Sequence, residues 1–256
     1  MNKKISILYI CTGHYKIFWE KFYKSAESYF LKNLDYEKHY FVFTDADHIY
    51  GEQSKNIRKI YQKPLAWPYA TLDRFRIFKT IRDQLKGMDY IYFFNANMLF
   101  LEAVDEEILP TVEKPLLMVQ HPGFYQKSRK DFTYEKNDKS LAYIPADEGS
   151  VYVMGGLNGG LAKNYLELIY ELDRRIEIDK TNNVIARWHD ESHLNRYATN
   201  FESSVKLLDS SYGYPEGWNL PFSPKIIIRD KDNYGGHDFL RNKKCFREFI
   251  KKVFKW

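Results

Sequence analysis

The chain has 256 residues, with 39 Lys and Arg against 34 Asp and Glu and a net charge of +5 at pH 7. Seven Lys and Arg and a single Glu fall in residues 241–256, a net +6, so residues 1–240 carry −1, the difference between +5 and +6, and a general nucleic-acid surface loses its support. Two cysteines, Cys11 and Cys245, are too few for a disulfide framework or a paired-cysteine metal site, no run reaches the ~20 apolar residues of a membrane-spanning helix, and a reducing cytoplasm is the expected setting.

In chain order, Lys3-Lys4 before an apolar run imitates a signal peptide, but the run is short and no small-residue cleavage site follows. Residues 5–11 read instead as a first buried strand. Residues 17–32 have helical spacing (Phe18, Phe22, Ala26, Tyr29, Phe30), residues 39–44 and 57–61 are strand-like, and Leu72, Phe75, Ile77, Phe78, Ile81 and Leu85 predict a helix. Residues 89–94 then give a nearly unbroken apolar and aromatic run, expected to be a strand buried on both faces, with Asn95-Ala96-Asn97 at its carboxyl end.

Beyond it, residues 116–120 read as strand, followed by a polar loop, a glycine cluster in "MGGLNGG" (154–160), helices over 163–179 and 188–200, and a last strand over 225–229. The alternation predicts one α/β domain over residues 1–240, with a Rossmann-like, largely parallel sheet flanked by helices. In the tail, residues 241–256, Phe246, Phe249, Ile250, Val253 and Phe254 follow a helical stripe among lysines. That pattern suits either an anionic membrane surface or packing on the domain.

Candidate chemistry concentrates in "WHDESHLN" (188–195). One reading is a helix start, with Asp190 or Ser192 as cap and Glu191 near the positive end of the dipole; the other is a carboxylate and an aromatic platform beside a sugar. His189 and His193 stand four apart, but the zincin order is absent. The glycines of residues 154–160 permit close backbone approach or plain turns, and they form neither a dinucleotide fingerprint nor a P-loop. His121 ends a strand and Lys231 leaves one, positions that suit structural as well as catalytic residues.

Taken together, "FVFTD" (41–45), the doublet at 95–97, "HPGFY" (121–125), "FTYE" (132–135), "AYIP" (142–145), the glycine pairs of 155–160 and "WHDESHLN" resemble glycosyltransferase family 6, in order and spacing, over residues 5–237. The family includes the histo-blood-group A and B transferases and the α-1,3-galactosyltransferase. The resemblance implies a GT-A fold and retaining transfer of galactose or N-acetylgalactosamine from a UDP-sugar.

Residue by residue, it implies that Ile10, Cys11, Thr12 and Tyr15 hold the uridine and that Arg74 reaches the donor. His121, Thr133 and Trp188 contact the acceptor, with Glu216 in place of an acceptor-binding aspartate. Asp190 hydrogen-bonds the donor sugar, and Glu191 faces the anomeric carbon as nucleophile or electrostatic stabiliser. Met154, Gly155 and Gly156 match the region that selects the donor: a small residue at 156 favours N-acetylgalactosamine, whereas Met154 is B-like and favours galactose.

The animal enzymes carry Asp-x-Asp at 95–97 and hold manganese there. Asn95, Ala96 and Asn97 resemble the metal-independent bacterial branch, so no metal cofactor is expected and Lys231 is expected to act on the diphosphate, with Arg229 behind it. The implied partners are a UDP-sugar and a fucosylated galactoside (Fucα1-2Gal). A non-catalytic sugar- or nucleotide-binding relative is the rival expectation.

Overall fold

Strands whose residues are apolar at nearly every position must be covered on both faces, and here helices cover them. The computed structural model describes residues 2–241. In it β1 (Lys3–Ile10) leads through a 3-10 turn into α1 (Trp19–Tyr29), and β2 (Tyr36–Thr44) and β3 (Ile57–Tyr61) follow. Three short helices, α2 (Tyr69–Leu72), α3 (Arg74–Lys79) and α4 (Arg82–Leu85), precede β4 (Tyr90–Phe94). After β5 (Met98–Phe100) come β6 (Leu116–Gln120), β7 (Val153–Leu161), α5 (Ala162–Thr181), α6 (Asp190–Asn200), β8 (Val205–Leu208), β9 (Tyr214–Pro215), β10 (Ile226–Ile228) and α7 (Gly236–Leu240).

Seven strands pair in the order β3-β2-β1-β4-β7-β6-β8, and β5, β10 and β9 form a second, small sheet. All pairings in the large sheet are parallel except those of β7, which runs antiparallel to β4 and to β6. This is the mixed, helix-flanked sheet of a GT-A-like fold. One face buries Tyr9, Trp19, Phe22, Phe94 and Phe100; the other buries Phe43, Phe75, Phe78, Phe93 and Tyr165.

Three expectations are corrected. The helix expected across residues 72–85 breaks at Asp73 (φ −88°, ψ 13°) and at Ile81 (φ −110°, ψ 16°), where the backbone leaves helical geometry. The helix expected from residue 17 begins at Trp19, after the 3-10 turn, and ends at Tyr29, because Phe30 is extended. The glycine cluster forms no plain turn: it is β7, buried from Val153 to Gly160, and its register against β6 shifts between Met118 and Gln120.

Glycine is needed there because the neighbours are close. A Cβ at Gly159 would stand 2.7 Å from the Ile91 carbonyl oxygen and 2.6 Å from the Tyr92 ring. The basic helix expected in the tail lies outside the described residues, Arg241 excepted.

Candidate active site

The carboxyl ends of β1 and β4 open on one cleft, at the end of the sheet where α/β folds hold ligands and where the reversed β7 begins. The empty space of the cleft is about 770 Å³, the open mouth included. Ile10, Thr12 and Tyr15 line it after β1, Asn95 and Ala96 after β4, and Arg74 and Lys231 from the two sides. Cys11 turns away from it. Its side chain is buried, burial lifts its thiol to about 12, its N–H donates to Phe43 and its carbonyl accepts from Thr44.

The Gly155 peptide in β7 joins the cleft to the charged residues of α6. Its N–H donates to Glu191 Oε2 (2.8 Å), and its carbonyl accepts from Arg74 Nη1 (2.5 Å) and Asn158 Nδ2 (3.2 Å). The same Arg74 nitrogen meets Asp190 Oδ2 at 2.9 Å, both side chains nearly buried, while the guanidinium lies over the Phe93 ring at 4.1 Å. A side chain at residue 155 would crowd this arrangement, since its Cβ would sit 3.3 Å from that of Glu191.

Two features set the angle of α6. His189, just before it, takes φ +54° and ψ −125°, a strained conformation costing on the order of 1–3 kcal/mol. Further along, the Asn195 amide clamps β7: Nδ2 donates to the Val153 carbonyl (2.8 Å) and Oδ1 accepts the Val153 N–H (2.9 Å). The first turn of α6 therefore presents Asp190 and Glu191 toward Gly155, and its unpaired N–H groups favour both carboxylates. The zinc-pair reading fails, because His189 packs edge-on against Trp67 while His193 is fully buried with its Nε2 3.5 Å from Asp179.

Burial raises the Asp190 carboxyl to about 6, with Arg74 pulling it back. Burial also raises Glu191, opposed by the Gly155 N–H, the Tyr152 hydroxyl at 3.1 Å and Arg74. The Lys231 ammonium is pushed down by burial and then by Arg241 and Arg74; it stands 5.7 Å from the Tyr15 ring and forms no ion pair among the described residues.

Beside this lies a rim of sugar-sized contacts. Trp188 is 46% exposed, and its Nε1 donates to Thr133 Oγ1 at 2.8 Å. Burial lowers His121 to about 4, so the ring is neutral at pH 7; Nδ1 accepts the Gly123 N–H (3.0 Å), which leaves the proton on Nε2. Glu216 lies apart, in a hollow beyond Lys231 that also contains the exposed Trp218, and its Oε2 accepts the Asp230 N–H at 2.7 Å.

Of the residues expected to select the donor, Gly156 faces the Asn95 turn, and Met154 is buried against it. Asn97 is buried, its Nδ2 donating to the Arg229 carbonyl at 2.7 Å. Arg229 does not stand behind Lys231 in the cleft, as alternation suggested, but lies buried beneath the turn. Sequence reasoning gave no role to Tyr152, Asn158 or Asn195. Asn195 stood within the quoted motif, but what these three hold is backbone or carboxylate brought near only by folding.

Residues 1–230 match glycosyltransferase family 6. The O-antigen biosynthesis glycosyltransferase WbnI of Escherichia coli is 35% identical over 228 residues, covering 89% of this chain and 95% of the relative. The histo-blood group ABO system transferase 1 of Rattus norvegicus is 30% identical over 227 residues (85% of this chain, 63% of the relative). The globoside alpha-1,3-N-acetylgalactosaminyltransferase 1 of Gallus gallus is 29% identical over 235 residues (89% and 66%). The chain thus spans about two thirds of the length of the animal relatives.

Proposed function

The chain belongs to glycosyltransferase family 6, and on that premise we propose that it moves N-acetylgalactosamine from UDP-GalNAc to the galactose of a Fucα1-2Gal acceptor, in α-1,3 linkage, with retention and without a metal ion. That it is a glycosyltransferase, with a nucleotide-sugar donor and a glycan acceptor, follows from the family and its relatives. The observation that carries the finer reading is the Gly155 peptide, which fixes Glu191 and, through Arg74, a lining residue of the cleft, Asp190.

In this reading Asp190 accepts a sugar hydroxyl and the ionised Glu191 faces the anomeric carbon, as nucleophile or as electrostatic partner of an oxocarbenium-like centre. As UDP departs, Lys231 meets the negative charge developing on the diphosphate, where a desolvated ammonium acts more strongly than in water. The neutral His121 offers its Nε2–H, and Trp188 its ring face, to the acceptor.

The residues at 95–97 do not fit a hard divalent cation, which takes anionic oxygen ligands. Both side chains are neutral amides, Asn97 is occupied with Arg229, and the nearest fixed charge is a guanidinium. The small residue at 156, matched to the donor-selecting region of the family, supports the acetamido donor, as does the printed specificity of the globoside relative. UDP-galactose is the second reading, favoured by Met154, whose methyl group fills the space beside Gly156, 2.6 Å from where a Cβ would stand.

The site of action in this reading is cytoplasmic; among the described residues no helix is long and apolar enough to cross a membrane. The test is product formation from each UDP-sugar and 2'-fucosyllactose, with and without EDTA. No product from either donor would refute transfer to this acceptor. An about ten-fold loss on chelation, about 1.4 kcal/mol of barrier, restored by manganese, would refute metal independence.

A further inference from the structure

Arg229 is among the largest side chains of the protein that are almost fully buried, and among the described residues it has no carboxylate partner. Its guanidinium is held by main-chain carbonyls alone: Nε donates to Asn97 (3.2 Å) and Nη2 to Phe18 (3.2 Å), Met98 (3.2 Å) and Ala96 (3.4 Å). The rings of Phe18 and Tyr234 flank it at 4.6 and 5.7 Å. Its backbone N–H also donates to the Asn97 carbonyl (2.9 Å), and the Asn97 amide donates back to the Arg229 carbonyl (2.7 Å). Two buried polar atoms of this pair, Arg229 Nη1 and Asn97 Oδ1, have no partner among the described residues.

A permanent cation buried without a counter-charge is expensive, and carbonyl dipoles offset that only in part. Three of the four carbonyls it gathers, those of residues 96–98, belong to the turn beside the cleft and the start of β5, and Ala96 lines the cleft. We propose that Arg229 is a positioning residue whose internal guanidinium takes the place of a bound cation beneath the Asn95-Ala96-Asn97 turn, fixing the turn for the donor and closing it to divalent ions. This deepens the metal-free reading and rests on it.

The geometry explains why residue 97 is an amide: a carboxylate cannot donate to the Arg229 carbonyl. An aspartate there would instead turn to the unpartnered Nη1 and form an internal ion pair, out of reach of an ion in the cleft. Restoring both carboxylates is therefore not enough to restore a metal site while Arg229 stays.

The test compares N95D/N97D, N95D/N97D/R229Q, R229Q and R229K with the unaltered chain, each checked for its fold by circular dichroism and thermal melting. Manganese chloride alone is titrated, and free Mn²⁺ is read by electron paramagnetic resonance. N95D/N97D is expected to leave the free-ion signal unchanged, and the added R229Q to bind Mn²⁺ at least about ten-fold more tightly than the double variant. R229Q is expected to lose about ten-fold or more in kcat/KM for the UDP-sugar, with R229K, which keeps the charge, recovering part of it.

Equal Mn²⁺ affinity in the double and triple variants, or unchanged kcat/KM in R229Q, overturns the proposal. Should the glutamine variants not fold, the double variant decides: Mn²⁺ bound beside an intact Arg229 overturns the proposal, and Mn²⁺ refused upholds it. EDTA sensitivity of the unaltered enzyme would overturn the metal-free reading instead, a result separate from these titrations.

Discussion

Glu191, in the first turn of α6, accepts the main-chain N–H of Gly155 in β7, Oε2 to N 2.8 Å, and a second hydrogen from the Tyr152 hydroxyl at 3.1 Å. The Gly155 N–H can only donate, whereas the Tyr152 hydroxyl can also accept, so a glutamine can keep both contacts. Glu191→Gln therefore removes the charge and keeps the shape. Turnover is expected to fall at least about a hundred-fold, roughly 2.7 kcal/mol of barrier, with donor affinity largely kept. Steady-state kinetics with donor binding by calorimetry checks this; near-normal turnover would place the chemistry elsewhere.

Tyr152→Phe keeps the ring and removes only the hydroxyl that holds Glu191 down. Asp190 and Glu191 are adjacent and influence each other, so the acid limb of activity reports the pair, near pH 6, with activity falling as pH drops through it. The variant is expected to move that limb upward by about one to two units, since one hydrogen bond to a charged group is worth roughly 1.5–3 kcal/mol. A pH–rate profile with an unmoved limb would deny Tyr152 this role.

Stability is expected to run the other way. Asp190 is raised above its ordinary 3.8 to about 6, so the native state binds the proton more tightly than the unfolded chain. Its contribution is full below the unfolded value and is lost as pH rises through about 6. Asp190→Asn should flatten the dependence of melting temperature on pH between about 4 and 6.5; a slope identical to that of the unaltered chain would count against a strained carboxyl.

Lys231→Ala removes the one ammonium on the cleft that has no ion-pair partner among the described residues. Loss of a preorganised group facing developing charge is expected to cost about 10²–10³ in kcat. Single-turnover measurement separates this from slow product release, and an unchanged chemical step would assign the leaving group to another cation.

Donor choice is expected to respond to a residue far from it in sequence. A Cβ at Gly213 would fall 2.2 Å from Met154 Sδ, and Met154 Cε already lies 2.6 Å from where a Cβ of Gly156 would be. Gly213→Ala should push Met154 aside, with an overpacking cost of about 1–3 kcal/mol, and shift the ratio of rates with UDP-GalNAc and UDP-galactose. Met154→Ala added to it should recover melting temperature; failure to recover would show that the clash lies elsewhere.

Much of the frame was legible in the sequence. The aromatic run before Asn95 could only be a doubly covered strand, and β1, β2, β3, β6 and α5 stood out by pattern. β7 was not legible, because its glycines answer to Ile91 and Tyr92 of the neighbouring strand, and no local signal distinguishes a crowded strand from a turn. The roles proposed for Glu191 and Lys231 came from motif resemblance, whereas the part proposed for Arg229 rests on carbonyls of Phe18 and residues 96–98, which only the folded chain assembles.

The reversed direction of β7 has a further consequence. β6 ends and β7 begins at the edge of the sheet where β1 and β4 end, so the segment between them, residues 121–152, leaves and returns at the same edge. It packs on a miniature core of its own, Phe132, Tyr134, Ile144 and Tyr152, with Phe124 against it, and it carries His121 and Thr133. In the proposed reading His121 and Thr133 therefore meet the acceptor from one excursion of the chain, and Trp188, hydrogen-bonded to Thr133, meets it from the approach to α6.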